Sequence, residues 1–117
     1  MKKIILVLFM VLVMGVGAGW AEGYTKAEID LITKAAEQGD ALSQYSLGCA
    51  NYNGEVGPDD NDKTAYMWIS LAIAQKPDIR EWRLFLQEIE AQMTPEEIAE
   101  AKAMAAEWQK NFEAGKK

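Results

Sequence analysis

The stretch "GDALSQYSLG", residues 39–48, decides the fold because it contains the boundary between two helices and a glycine within the second one. Gly39 is suited to the left-handed backbone that ends a helix, and Asp40 is a favourable N-cap for the next helix. Gly48 then falls inside that second helix, where glycine costs about 1 kcal/mol relative to alanine. The packing of the other helices has to account for this unfavourable residue.

Capping signals predict the ends of the first two helices. Thr25 and Glu28 have the spacing of a capping box, so the first helix is expected to start near Lys26 and to end at Gly39. The second helix is expected to begin after Asp40 and to stop at the pair "NG", residues 53–54. Its apolar stripe is predicted to contain Leu42, Tyr45, Cys49 and Tyr52.

Three further helices are predicted after the loop "EVGPDDND", residues 55–62, one of whose aspartates is expected to cap the third helix. Pro77 ends that helix, and Asp78 is expected to cap the fourth. The capping box "TPEE", residues 94–97, opens a long fifth helix that finishes at Gly115. Their predicted stripes are Ala65, Trp68 and Ala72; then Ile79, Trp82, Leu86, Ile89 and Met93; then Ile98, Ala101, Ala105, Trp108 and Phe112. No segment alternates with a period of two, so the predicted fold is all-α with short connections between antiparallel neighbours.

The N-terminus has the pattern of a signal peptide. Lys2 and Lys3 precede the apolar run "IILVLFMVLVM", residues 4–14, and the small residues around Trp20 fit cleavage after Ala21. The apolar stretch is shorter than the roughly 18 to 20 residues that a membrane span needs, although retention as an anchor is the alternative. We therefore expect a signal peptide at residues 1–21, a single mature domain at residues 22–117, and a periplasmic or secreted protein with no stable membrane span.

The charge and cysteine content exclude several classes of function. The chain has a formal net charge of −6, and removal of residues 1–21 would take two lysines away and leave −8. An acidic surface without a basic stripe argues against nucleic acid as a partner. Cys49 is the single cysteine, so no intramolecular disulfide can form, and it is interpreted as a small buried residue rather than a reactive thiol.

An internal offset of 37 residues indicates a helical repeat. It aligns "AAEQ", residues 35–38, with "AIAQ", residues 72–75, and places Tyr45 on Trp82 and Leu47 on Leu84. Repeats of this length with paired helices are typical of α-solenoids. The same offset aligns Gly48 with Phe85, so the small residue occurs in one hairpin and not in the next.

The chain resembles the Sel1-like repeat, a relative of the tetratricopeptide repeat with the pattern A-A-x-x-G-x-x-x-A-Q-x-x-L-G, then Y-x-x-G-x-G-V, then K-A followed by W and A. The matching residues are Ala35, Ala36, Gly39, Gln44, Leu47, Gly48, Gly54, Ala65, Trp68 and Ala72. The segments at residues 65–72 and 93–108 also resemble the last hairpin and tail helix of bacterial envelope members. Ser43, Asn51 and the loop "GEVG" depart from the pattern.

The resemblance implies an α-solenoid of about five helices. Residues 39–75 would be its best-formed repeat, residues 78–93 a degenerate hairpin helix, and residues 94–115 a C-terminal capping helix. In this family small residues let two helices approach closely, which would make Gly48 a contact between backbones. The residues expected to have structural roles are Ala36, Gly39, Leu47, Gly48, Gly54, Ala65, Trp68 and Ala72.

Catalytic and metal-binding constellations are weak in this sequence. It has no histidine, so the usual nucleophile and base pairs cannot be assembled, and no cofactor is expected. The acidic cluster "DDND", residues 59–62, could hold calcium, but helix capping and a solvated turn explain it more simply. The glutamates that open the fifth helix fit the favourable end of its dipole.

The predicted function is a non-enzymatic helical-repeat protein that binds another protein or peptide, because such repeats usually act as adaptors. Tyr45, Tyr52 and Trp82 are the candidate partner-binding residues, since aromatic side chains carry much interface energy, and core packing is the alternative for each. Two other functions remain open. One is a self-associating structural protein of the cell envelope, which would form homo-oligomers, and the other is a hydrolase related to the cell wall.

Overall fold

The computed structural model describes residues 24–56 and 61–115, and this part of the chain consists of five helices without a strand. The helices are α1 (Lys26–Glu37), α2 (Ala41–Tyr52), α3 (Asn61–Gln75), α4 (Arg80–Glu90) and α5 (Pro95–Gly115). The predicted all-α fold is therefore confirmed. The predicted signal peptide, residues 1–21, lies outside the described residues. Asp59 and Asp60, two of the aspartates that were predicted as candidates for the N-cap of α3, also lie outside them.

Most helix ends follow the local signals. Thr25 and Glu28 form a complete capping box at α1, with the Glu28 amide donating to Thr25 Oγ1 at 3.1 Å and the Thr25 amide donating to Glu28 Oε1 at 2.8 Å. Asp40 caps α2 by accepting from the Ser43 amide at 2.9 Å. Thr94 and Glu97 form the same reciprocal pair at α5. Each of these motifs spans four residues, so it forms without help from distant parts of the chain.

The fourth helix departs from its prediction at both ends. Asp78 does not cap it, because the N-cap is Ile79, which has no capping side-chain bond. Met93 lies beyond the last residue of α4, although its side chain is buried. Phe85, which was not in the predicted stripe, is buried together with Trp82 and Ile89.

Helix α3 is the centre of the molecule. It packs most extensively against α2 and also contacts α4 and α5, while α1 packs against α2. Its residues are buried around the whole circumference, as expected of a helix with partners on several sides: Ala65, Tyr66, Met67, Trp68, Ile69, Leu71 and Ala72. Side chains from α3 thus contribute to three core clusters that join all five helices.

Helices α2 and α3 meet at Gly48. A Cβ atom at this position would lie 2.5 Å from Ile69 Cγ1 and 3.1 Å from the Ala65 carbonyl oxygen, which is closer than side chains normally approach. Ala65 and Ile69 are themselves fully buried in α3. The absence of a side chain at Gly48 therefore lets the two helices lie at their observed separation.

Most other residues that match the repeat pattern are buried or have a left-handed backbone. Gly39 and Gly54 have φ angles of 98° and 78°, in the region that favours glycine after a helix. Ala35 is partly exposed, and the remaining motif residues are buried in the core: Ala36, Leu47, Ala65, Trp68 and Ala72. Gln44, a polar match to the motif, is 1% exposed because its Nε2 donates to the Ala36 carbonyl oxygen and its Oε1 accepts from Gln75 Nε2 at 3.0 Å.

Candidate interaction surface

The structure brings the three predicted partner-binding residues into one aromatic cluster, which also contains Phe85. Tyr45 of α2 stacks on Trp82 of α4, with ring centroids 4.6 Å apart and planes inclined by 8°. Phe85 lies edge-on to both Tyr45 and Tyr52, at centroid distances of 6.0 and 5.4 Å. These four rings, which we call the aromatic cluster, fill the space between α2 and α4.

The members of the aromatic cluster differ in solvent exposure. Tyr52 is fully buried and Trp82 is 8% exposed, whereas Tyr45 is partly exposed. The positions of Tyr52 and Trp82 favour core packing, the alternative that the sequence left open for them. Tyr45 is the one predicted contact residue of the three that keeps partial solvent exposure.

Hydrogen bonds hold the hydroxyl groups of the buried tyrosines. Tyr66 of α3 donates to Glu90 Oε2 at 2.6 Å, and Tyr52 accepts from the Gln92 side-chain amide, so both bonds tie the end of α4 to the central helices. Tyr45 lies beside Cys49, one turn further along α2, and burial is the main cause that raises the pKa of both groups. Cys49 is completely buried and therefore acts as a core residue.

An accessible strip runs along the first two turns of α2. Leu42 is 64% exposed, and the partly exposed side chains of Tyr45 and Ser46 follow at the spacing that puts them on the same helix face. Tyr24, which precedes α1, lies close to Ser46. We refer to Tyr24, Leu42, Tyr45 and Ser46 as the α2 strip.

Leu42 was predicted to lie on the apolar stripe of α2 that faces the core, and this prediction is wrong because the residue is exposed. The buried face of α2 is instead formed by residues that include Gln44, Leu47 and Gly48. Tyr24 was not identified from the sequence. Its position just before the Thr25 capping box was an available signal, because an apolar residue there often packs onto the first turns of the helix.

Burial and neighbouring carboxylates raise the pKa of both tyrosines of the α2 strip. Desolvation by burial raises the pKa of Tyr24, and the charges of Glu55 and Glu28 raise it further. The pKa of Tyr45 is raised first by burial and also by the charge of Glu81. Burial raises the pKa of Glu55, and the nearby backbone of Tyr24 offsets part of this rise. The charged side chains that act on the two phenols are thus acidic.

Among residues 24–56 and 61–115, no group of three or more acidic, cysteine or histidine side chains is arranged to hold a metal ion. Within the same ranges, no helix combines the length and the hydrophobicity needed to cross a membrane. The calcium alternative for residues 59–62 involves positions outside these ranges.

Comparison with known proteins found no matching family model, no matching curated protein and no matching solved structure.

Proposed function

We propose that this chain is a non-enzymatic helical-repeat protein of the Sel1-like type that is exported to the periplasm or secreted, where it binds another protein or a peptide. The observation that carries the proposal is the α2 strip, in which the exposed side chain of Leu42 lies one turn from the partly exposed ring of Tyr45. Aromatic and aliphatic side chains held on a rigid helix are suited to a protein interface.

The packing of α2 supports this role. Tyr45 is held by its stack on Trp82 and by its edge-on contact with Phe85, so little side-chain entropy would be lost when a partner contacts it. Gly48, Leu47 and Gln44 secure the opposite side of the same helix against its neighbours. The α2 strip is therefore a pre-formed surface and needs no refolding to bind.

Site-specific photo-crosslinking in the cells that produce the protein tests the proposal. A photoreactive amino acid at position 42 should give a discrete adduct with one partner protein. The same group at Glu107, an exposed residue of α5, is the matched control and should not give that adduct. Failure of position 42 to give any adduct beyond those of the control would count against an interaction role for this surface.

The proposed location has its own test. Mass spectrometry of the protein isolated from the cell envelope or the medium should find a mature chain that starts at Glu22. A chain that retains residues 1–21 and sediments with membranes would instead support an anchored form.

Self-association is a second candidate function, favoured by Leu31. This side chain is 68% exposed on α1, a helix that packs mainly against α2. A second copy could cover it, as neighbouring units do in helical repeats. Size-exclusion chromatography with light scattering should then show a dimer that Leu31→Ser converts to a monomer, whereas a monomer at high concentration would contradict this function.

A further inference from the structure

We propose that Asn53 is a deamidation site that the native fold protects and that unfolding opens to reaction. The inference goes beyond the proposed function, because it concerns the pair Asn53 and Gly54 at the end of α2 and needs no partner. Asparagine is chemically labile, and a following glycine has no side chain to hinder attack by its backbone nitrogen. The local structure decides whether this attack can occur.

The reaction has two balanced steps. The Gly54 nitrogen loses its proton and bonds to Cγ of Asn53, the bond between Cγ and Nδ2 breaks, and ammonia leaves with that proton. The product is a five-membered succinimide ring. Water then opens the ring at either of its carbonyl groups, which leaves aspartate or isoaspartate at position 53. Water is the only co-reactant.

The backbone at the end of α2 holds the reacting atoms apart. The Glu55 amide donates to the Ala50 carbonyl oxygen at 2.9 Å, and the Gly54 amide donates to that of Asn51 at 3.0 Å. With a φ of 78° at Gly54, these bonds form a Schellman motif. The ψ angle of Asn53 is 0°, so the Gly54 nitrogen eclipses the Asn53 nitrogen. The ring closes when it eclipses Cβ instead, at a ψ of about −120°, which lies outside the main allowed regions.

The side chain of Asn53 is also held in an unreactive arrangement. Its Nδ2 donates to the Cys49 carbonyl oxygen at 3.0 Å, which keeps the leaving group bound to the helix. Its Oδ1 is buried, and no donor from residues 24–56 or 61–115 forms a hydrogen bond with it. Attack at Cγ places negative charge on this oxygen, and a buried oxyanion without a donor is strongly disfavoured. The nucleophile, the leaving group and the oxyanion are therefore all unfavourably placed in the native state.

The products do not fit the end of α2. In aspartate, a carboxylate oxygen takes the place from which Nδ2 donates and faces the Cys49 carbonyl oxygen, which repels it. This charge also lies at the negative end of the helix dipole. Isoaspartate lengthens the backbone by one methylene group, so the Gly54 amide no longer meets the Asn51 carbonyl oxygen in register. A chain that has reacted while unfolded is thus hindered from refolding.

Peptide mapping by mass spectrometry measures the reaction in the purified protein. The protein is kept in mildly alkaline buffer, which favours loss of the proton from the attacking nitrogen, either native or unfolded in guanidinium chloride. A synthetic peptide of residues 49–57 gives the unprotected rate in both buffers. Asn53 should react as fast in the unfolded protein as in the peptide, and at least about tenfold more slowly in the native protein, where reaction requires local opening. Asn111, which precedes Phe112, is the control within the chain and should react slowly in both states.

The variant Asn53→Asp tests the misfit of the product. It should have a lower urea midpoint than the parent protein, because it replaces a hydrogen bond by repulsion at the end of α2. Asn111→Asp is the matched control, since it makes the same change at an exposed position near the C-terminal end of α5 and should stay close to the parent.

Three results would overturn the inference. Equal rates at Asn53 in the native protein and in the peptide would show that the fold gives no protection. A rate at Asn53 in the unfolded protein no higher than that at Asn111 would show that the site is wrong. Equal stability of Asn53→Asp and Asn111→Asp would show that the product fits and does not hinder refolding. None of these measurements involves a binding partner, so each result is independent of the proposed function.

Discussion

Replacement of Gly48 by alanine tests the packing of α2 against α3. In an isolated helix this change would stabilise the structure by about 1 kcal/mol, because alanine has the higher helix propensity. In this fold the new Cβ would lie 2.5 Å from Ile69 Cγ1 and 3.1 Å from the Ala65 carbonyl oxygen. The two effects have opposite signs, so the measured sign decides whether the helices meet at Gly48.

The size of the steric effect follows from the neighbours of Gly48. Ile69 is fully buried and β-branched, so Cγ1 cannot swing away without an unfavourable rotamer, and the Ala65 carbonyl belongs to the helix backbone. Overpacking of a core costs about 1 to 3 kcal/mol, and the upper part of this range applies when neighbours are rigid. After subtraction of the propensity gain, Gly48→Ala should lower the free energy of unfolding by about 1 to 2 kcal/mol.

Urea denaturation followed by circular dichroism measures this free energy. Gly115→Ala is the matched control, because a Cβ at Gly115 would have no atom within 4 Å, and this variant should be as stable as the parent or slightly more so. Gly48→Leu should be destabilised by more than Gly48→Ala, by about 3 kcal/mol or more. A Gly48→Ala protein that is more stable than the parent would refute the close contact between α2 and α3.

Three further substitutions test residues on α2 and on the connection between α1 and α2. Gln44→Ala should cost about 1 to 3 kcal/mol in urea denaturation, because it removes a buried amide and leaves its partners without that bond, whereas exposed Gln87→Ala should be close to neutral. Gly39→Ala should lower the melting temperature because the φ angle of Gly39 is 98° and the new Cβ would lie 2.8 Å from Phe112 Cζ. A second substitution, Phe112→Ala, removes that clash but leaves the backbone strain. The double variant should therefore be less stable than Phe112→Ala alone. Hydrogen bonds from Ser43 lower the pKa of Asp40 in the folded protein. The ionised carboxylate therefore stabilises the fold at every pH above the pKa that Asp40 has in the unfolded chain. This contribution is lost as the pH falls through the lower pKa that Asp40 has in the folded protein. Asp40→Ala should therefore cost about 1 kcal/mol at neutral pH and less in acid, and Asp40→Asn should show a smaller pH dependence than the parent. An unchanged difference between Asp40→Ala and the parent from pH 7 to pH 2 would contradict this assignment.

The sequence predicted the number and limits of the helices well because those signals are local. The caps at Thr25, Asp40 and Thr94 each depend on a residue three positions away, and all three form as expected. Pro77 likewise ends α3 by its own geometry. The residues that set such a helix end lie within about one turn of each other, so the end can be predicted from a short stretch of sequence.

The orientation of each helix could not be obtained in the same way. Leu42 was expected in the core, yet it is exposed, while the polar side chain of Gln44 is buried. Gln44 can be buried because its hydrogen bonds go to Ala36 and Gln75, which lie on other helices. Which face of α2 is covered thus depends on partners far along the chain, and this is also why Tyr24 was missed as part of the candidate surface.

The 37-residue offset pairs positions 48 and 85, whose residues differ, and this difference affects the α2 strip. The offset pairs Leu47 with Leu84, but Leu47 is 2% exposed and Leu84 is 48% exposed, so the aligned residues do not share an environment. Gly48 is paired with Phe85, which is buried in the aromatic cluster.

This exchange of glycine for phenylalanine explains why α2 and α4 pack differently against the central helix. At Gly48 the lack of a side chain allows α2 to pack extensively on α3, whereas α4 makes a smaller contact with α3. The ring of Phe85 then occupies the space between α2 and α4 and supports Tyr45 from the side, while Trp82 supports it from one face. Tyr45 is held at the edge of this filled space, next to exposed Leu42. Phe85, at the position that the offset pairs with Gly48, therefore supports the proposed binding strip, and a Phe85→Ala variant that keeps its fold should give less of the discrete photo-crosslinked adduct at position 42 than the parent protein.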